Sequence, residues 1–286
     1  MINQKKILAP AKINLFFEAN GLYPNGYHDI TSVMQTVSLY DSVEIDLNRS
    51  KKIEVAVSNM TSLSGINNLA YKAAKLFFET AKLTDFGANI RIEKAIPLLS
   101  GLGGGSADAA AVLLGLNKML DEPFTTQELI NIGKQIGADI PFCLVQGTAL
   151  VKGIGEVVKP CTKLPDCFIV IIKHGEKQST ADMYKKLDEI EGRNPRSINS
   201  FLKAMEHGDL KKVASNLYNA FSEFYTKDDI ISQCLAEFGA LGHCISGSGP
   251  SRFAIFDNPQ SAQAAADFLS EKNIESHLVK PIISQQ

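Results

Sequence analysis

The chain has 286 residues, 45% of them hydrophobic and 21% charged, with a formal net charge of −2. That balance suits one large or two ordinary soluble domains that bury a core without staples, and it excludes the global basic field that marks a nucleic-acid binder. Five scattered cysteines without a CxxC pair and five histidines without HExxH supply neither a disulfide framework nor a zinc site, so reduced thiols in a cytoplasmic protein are expected.

The N-terminal stretch MINQKKILAPAKINLFFEANG sets two lysines before an apolar run. Pro10, Lys12 and Asn14 interrupt that run and no small-residue cleavage site follows, so a secretion signal is not expected. No stretch is long enough to span a bilayer, and no membrane partner is expected. KINLFFEA (12–19), VSLYDSVEIDL (37–47) and, more weakly, KIEVAVS (52–58) carry strand patterns. In 67–83 Leu69, Ala73, Leu76, Phe77 and Ala81 share one helical face. NIRIEKAIP (89–97) returns to strand and stops at proline. Four glycines then crowd Gly101 to Gly105, and a helix is predicted from about Ser106 to Leu120. In TTQELINIGKQIG, Thr125 and Glu128 form a capping box and Gly137 a stop.

Two glycines and two prolines in 153–166 place a soft boundary between domains 1–156 and 157–286. Beyond it the order is strand CFIVIIK, helices from about 180 to 238, strands GHCISG and SRFAIF, helix SAQAAADFLSEK and strand IESHLV. A strand pair between helices, with further strands outside, predicts an α+β unit whose antiparallel sheet is covered on one face, as in split βαβ folds.

The glycine run points to phosphate. Glycine amides approach a ligand closely, successive N–H groups form an anion nest, and the following helix adds the positive end of its dipole. The loop is neither of the two commonest nucleotide loops. No lysine follows the glycines as GxxxxGK[ST] requires, and GxGxxG ends on Ser106 or Asp108 in its two registers. Ser106 and Asp108 either cap and balance the helix or hold a metal that bridges phosphates. A second cluster, SGSGPS (246–251), reads alone as a hairpin turn. Beside the first it suggests a ligand cleft between domains.

PAKINLFFEANGLYPNGYHDI, PLLSGLGGGSADAA and SGSGPS occur in the order of the three motifs of the GHMP kinase superfamily, which the chain resembles over nearly its whole length; NNLAYKAA, GADIPFCLVQGTAL and GIGE fit as well. PAKINL followed by YPNGYH resembles the branch acting on a cytidine diphosphate-linked methylerythritol. The resemblance implies a two-lobed α+β fold, with a ribosomal-S5-like N-terminal domain and a ferredoxin-like C-terminal domain. It implies ATP-dependent phosphorylation of the erythritol 2-hydroxyl in non-mevalonate isoprenoid biosynthesis, with Mg2+ on ligands the sequence leaves unknown, in a monomer or homodimer.

The same resemblance assigns residues. Asp139 in GADIPF accepts the hydroxyl proton, and Lys12 in PAKINL keeps it ionised and favours charge on the reacting oxygens. The ATP loop comprises Pro97, Leu98, Leu99, Ser100, Gly101, Leu102, Gly103, Gly104, Gly105, Ser106 and Ala107, with Asn68 and Lys94 at the adenosine. The acceptor meets Asn14, Tyr27, His28, Tyr184, Gly247, Ser248 and Gly249, Tyr27 and Tyr184 stacking on the cytosine and His28 bonding its edge. The residues alone also allow a snorkelling Lys12, Asp139 as a turn residue, a packed Tyr27 after an Asn25–Gly26 turn, Asn68 as a helix cap and Lys94 as a solvated strand lysine. A homoserine- or mevalonate-type kinase and a non-catalytic nucleotide-binding regulator are the alternatives for function. YPNGYH counts against the first and the Lys12–Asp139 pair against the second.

Overall fold

The computed structural model describes residues 4–58, 60–176, 178–225 and 230–283. Two long antiparallel strands, β1 (Gln4–Leu22) and β2 (His28–Asn48), form its spine. The ladder is interrupted between Pro10 and Lys12 and between Asn14 and Phe16. A proline donates no ladder hydrogen bond, and an irregularity there admits it. β2 is longer than the predicted 37–47 strand because His28–Thr36 continues the same pairing.

β3 (Ile53–Val57), α1 (Leu69–Thr80) and β4 (Gly87–Glu93) follow. α2 (Gly104–Met119), α3 (Thr126–Gly133), α4 (Ile140–Val145), β5 (Thr148–Gly153) and β6 (Val157–Pro160) complete the first lobe. One edge of β2 takes β1; the other takes β4 on its second half and β5 on its first. β6 extends this sheet to Pro160. α2 is buried along almost its whole length, as its alanine-rich sequence permits. The predicted capping box of α3 forms between Thr125 and Glu128.

The second half holds β7 (Phe168–Lys173), α5 (Thr180–Asp188), α6 (Asn199–Glu206), α7 (Leu210–Ser215) and the short β8 (Tyr218–Asn219). α8 (Ile230–Glu237), β9 (Gly242–Ile245), β10 (Arg252–Phe256), α9 (Pro259–Glu271) and β11 (Glu275–Val279) follow. Its antiparallel sheet runs β11-β7-β10-β9, the split βαβ order.

The sheet is covered on both faces, not on one as the pattern predicted. Val170, Ile172, Ala254 and Phe256 share a core with Ile231 and Leu235 of α8 and with Ala262 and Leu269 of α9. Ile169, Ile171, Phe253 and Ile255 share another with Ala11, Ile13 and Leu15 of β1 and with Phe201 and Met205 of α6. The reason is that FIVII is apolar at every position and so has no face fit for water. Strand alternation then turns Lys12 and Asn14 of β1 to the side opposite that inter-lobe core. β8 also pairs with β1, through Phe16 and Phe17, so the second half contributes a strand to the first sheet. Among the described residues no helix is long and apolar enough to cross a membrane.

Candidate active site

The glycine loop lies between β4 and α2. Gly103, with φ 73°, precedes α2, which has no side-chain N-cap bond, so its first-turn N–H groups face the loop. The left-handed Gly103 ends the loop in a single residue, and the helix starts at Gly104, two residues earlier than predicted. A Cβ on Gly103 would lie 2.9 Å from Cγ of Lys12, so the loop rests directly on the lysine side chain. Lys12 N–H also donates to Leu102 O at 2.9 Å. A Cβ on Gly101 would overlap the carbonyl oxygen of Ser246. Ser246 Oγ donates to Gly101 O at 3.0 Å, and Ser251 N–H to Ser100 O at 3.1 Å. The two glycine clusters of the sequence are therefore neighbours.

Lys12 is only 4% exposed. Its Nζ donates to Asn14 Oδ1 at 2.9 Å and pairs with Asp139 Oδ2 at 3.3 Å, so it does not snorkel. Asn14 Oδ1 also accepts from Gly247 N–H at 2.9 Å, and Asn14 Nδ2 donates to Ser32 Oγ at 3.0 Å. Asn14 thus ties the lysine to the second glycine cluster. Asp139 is the N-cap residue of α4, yet its side chain makes no cap bond. About a third exposed, its carboxylate faces a cleft instead of serving the turn. One turn on, burial above all, then the charge of Asp139, raises the thiol of Cys143, which stays neutral.

Lys94 is not the solvated strand lysine that the residues alone allowed. Its buried Nζ bonds both Asp41 and Asp108 Oδ2, the latter at 2.6 Å. Asp41, fully buried on β2, accepts the N–H groups of Ala95 and Ile96 at 2.7 and 2.8 Å and so holds the entry to the loop. The cation beside Asp108 is this ammonium, and Asp108 lines neither cavity described below.

Burial pushes the Asp108 carboxyl from 3.8 up to about 7; Lys94 opposes the rise and Asp41 adds to it. Folding thus favours the protonated form. That contribution to stability is full below the ordinary value and is lost as pH rises through about 7. Asp108→Asn imitates the protonated form. Its melting temperature relative to wild type should be more favourable at about pH 8 than at about pH 5. A difference independent of pH would contradict this.

The loop separates two cavities. The smaller, about 220 Å³, is lined by Leu69, Lys94, Ile96, residues 97–101 and residues 103–106, whereas Leu102 and Ala107, predicted with the loop, are buried in the cores and line neither cavity. The larger, about 710 Å³, holds Lys12, Asn14, Asp139, Tyr27, His28, Tyr184, Gly247 and Ser248. Gly101, Gly103 and Ser106 line both. A further cavity of about 650 Å³, around the N-terminal part of β1 and the end of α2, contains none of the predicted site residues.

The far end of the larger cavity is aromatic. Tyr27 is 60% exposed over it and not packed, its N–H bound to Asn25 Oδ1 at 3.1 Å. His28 stacks on Tyr184 with centroids 4.2 Å apart and planes at 18°. Tyr184 in turn sets its edge against Phe221 and Phe17. His28 Nε2 lies 2.9 Å from Asp188 Oδ1; a carboxylate only accepts, so Nε2 carries a proton. Burial first, then the charges of Asp139 and Asp188, raises the Tyr184 phenol, which remains a donor.

Two family descriptions match one segment in each half of the molecule. The one described as "GHMP kinases N terminal domain" matches residues 68–147, and "GHMP kinases C terminal" matches residues 201–275. The chain is 38% identical over 261 residues to a 4-diphosphocytidyl-2-C-methyl-D-erythritol kinase of Lachnoclostridium phytofermentans, covering 90% of this chain and 89% of that one. It is 40% identical over 268 residues to one of Caldicellulosiruptor bescii, covering 92% and 93%. The chain belongs to the 4-diphosphocytidyl-2-C-methyl-D-erythritol kinase family of GHMP kinases.

A crystal structure of 4-(cytidine 5'-diphospho)-2C-methyl-D-erythritol kinase superposes on this kinase with a TM-score of 0.78 at 27% identity, covering 97% of this chain and 99% of that one. An L. major mevalonate kinase shares the fold, with a TM-score of 0.76 at 19% identity and coverage of 99% and 98%.

Most of the predicted residues gather around the two cavities. Asn68 does not line either: it caps α1, accepting from Ala70 N–H at 2.8 Å and donating to Leu63 O at 2.9 Å. Gly249 stands behind the cleft against Tyr225, whose hydroxyl donates to Ser248 O. One face of Tyr184 is covered by the His28 imidazole. Sequence reasoning missed Asp41, Asp188 and Phe221. Asp41 left a signal, since it falls at an inward position of the strand that buries Val43, Ile45 and Leu47. Asp188 left none, being 160 residues from its partner.

Proposed function

We propose that this ATP-dependent kinase phosphorylates the 2-hydroxyl of 4-diphosphocytidyl-2-C-methyl-D-erythritol. One observation carries the reading. The glycine loop is the shared wall of two cavities, with Lys12 and Asp139 on the larger side and the Tyr27–His28–Tyr184 pocket at its far end. ATP then places its adenosine in the smaller cavity and its phosphates against the loop and α2. The acceptor fills the larger cavity, its cytosine at Tyr27 and His28.

Asp139 takes the proton of the 2-hydroxyl while the oxygen attacks the γ-phosphorus and ADP leaves. Lys12, held by Asn14, faces the same space and stabilises charge on the transferring group. The loop amides and the N-terminus of α2 do the same for the phosphates.

Phosphoryl transfer also calls for magnesium. Among the described residues no three His, Cys, Asp or Glu side chains gather to hold a metal, and Asp108 is engaged by Lys94. Magnesium commonly uses few protein oxygens together with phosphates and water, which fits a single hydroxyl, Ser106, on the dividing wall. When bound, it neutralises phosphate charge. A cytoplasmic place belongs to the same proposal, supported by five free cysteines.

Incubation with ATP, magnesium and the diphosphocytidyl acceptor should release ADP, with homoserine and mevalonate far poorer as parallel acceptors. Preference for either of those two would overturn the acceptor assignment.

A further inference from the structure

The GIGE turn (153–156) supplies no group to the reaction, yet it meets the catalytic wall. Ile154 and Gly155 line the larger cavity. Gly155 is buried with φ 119°, and a Cβ there would lie 2.5 Å from Ala138 O and 3.2 Å from Ala138 Cβ. Only glycine lets the turn approach so closely. Ala138 is bonded directly to Asp139, so the turn abuts the peptide that carries the base.

Glu156 holds the shape of the turn. Its Oε2 accepts the N–H of Ile154 at 2.7 Å, and its carboxylate folds back over Gly153, where a Cβ would lie 2.6 Å from Oε1. Asp139 makes no side-chain cap bond that would otherwise fix it to α4. Its placement depends on its own backbone and on Lys12.

We propose that the Gly153–Glu156 turn positions Asp139, and that Glu156 is a positioning residue for phosphoryl transfer, acting through Gly155 and Ala138. The inference rests on Asp139 being the general base. A base must lie within hydrogen-bond reach of its proton, and misplacement by about 1 Å can lower turnover by ~10²-fold.

The test compares Glu156→Ala, Glu156→Asp and Glu156→Gln, each also combined with Asp139→Asn, in the full-length kinase with an acceptor that the wild type turns over. Glu156→Ala should lower kcat by about tenfold or more with KM for ATP unchanged. Glu156→Asp keeps the charge but not the reach and should behave likewise. Glu156→Gln keeps an acceptor for Ile154 N–H and should restore most of the rate. With asparagine at 139, Glu156→Ala should cause no further loss, as expected of residues acting as a unit.

Wild-type kcat in both the Ala and Asp variants, or an equal fold-loss with and without the Asp139 carboxylate, overturns the positioning role and leaves the base assignment standing. Normal turnover by Asp139→Asn alone overturns both.

Discussion

Asp139→Asn lowers kcat by at least about a hundredfold while the protein remains folded, the range expected when a general base is removed. Asparagine keeps the shape and an oxygen for Lys12 but does not take up the hydroxyl proton. The side chain is about a third exposed and makes no cap bond, and Lys12 keeps its hydrogen bond to Asn14, so the loss of the ion pair lowers stability but leaves the protein folded. Binding should change little, since the loop, the α2 N-terminus and the aromatic pocket are untouched. Steady-state kinetics beside a thermal melt separate the two effects. A kcat within about tenfold of wild type would remove Asp139 as the base.

The largest loss of stability is expected at Asp41. Asp41→Ala should destabilise the protein by about 3 kcal/mol or more, measured by chemical denaturation at neutral pH. Two causes combine. Lys94 loses one of its two buried carboxylate partners, and the amides of Ala95 and Ile96 lose their acceptor at the entry to the loop. Asp41→Asn keeps an acceptor oxygen and should recover part of the loss. The alanine variant should also raise KM for ATP, because residues 94–97 lead into the loop. A cost under about 1 kcal/mol would mean that Asp108 alone satisfies Lys94.

These two carboxylates mark what was legible in the chain. Asp139 stood out only through the family resemblance, since from the residues alone a turn before Pro141 was the leading reading. Asp41 was readable from alternation alone, as an acid at an inward strand position, and went unread because its cation stands 53 residues away. Lys94, assigned to the adenosine, read equally as a solvated strand lysine for the same reason. Even FIVII, correctly a strand, misled about its surroundings: its apolar residues at every position called for cover on both faces.

The sequence by itself determined the local devices. Glycine at 101 and 103, an alanine-rich helix after them, the capping box of α3 and the alternation of β1 and β2 all follow from backbone sterics and side-chain periodicity within a few residues. Those preferences act over one turn or one strand. Tertiary structure decided which charges meet: Asp139 with Lys12, Lys94 with Asp41 and Asp108, His28 with Asp188, and the GIGE turn with Ala138. These meetings depend on strand order and on the docking of the second sheet against β1, where distant segments come within a few ångströms. Short-range propensity carries no record of that distance. Burial then makes the partners matter, because a charge removed from water needs an opposite charge or a hydrogen bond close by.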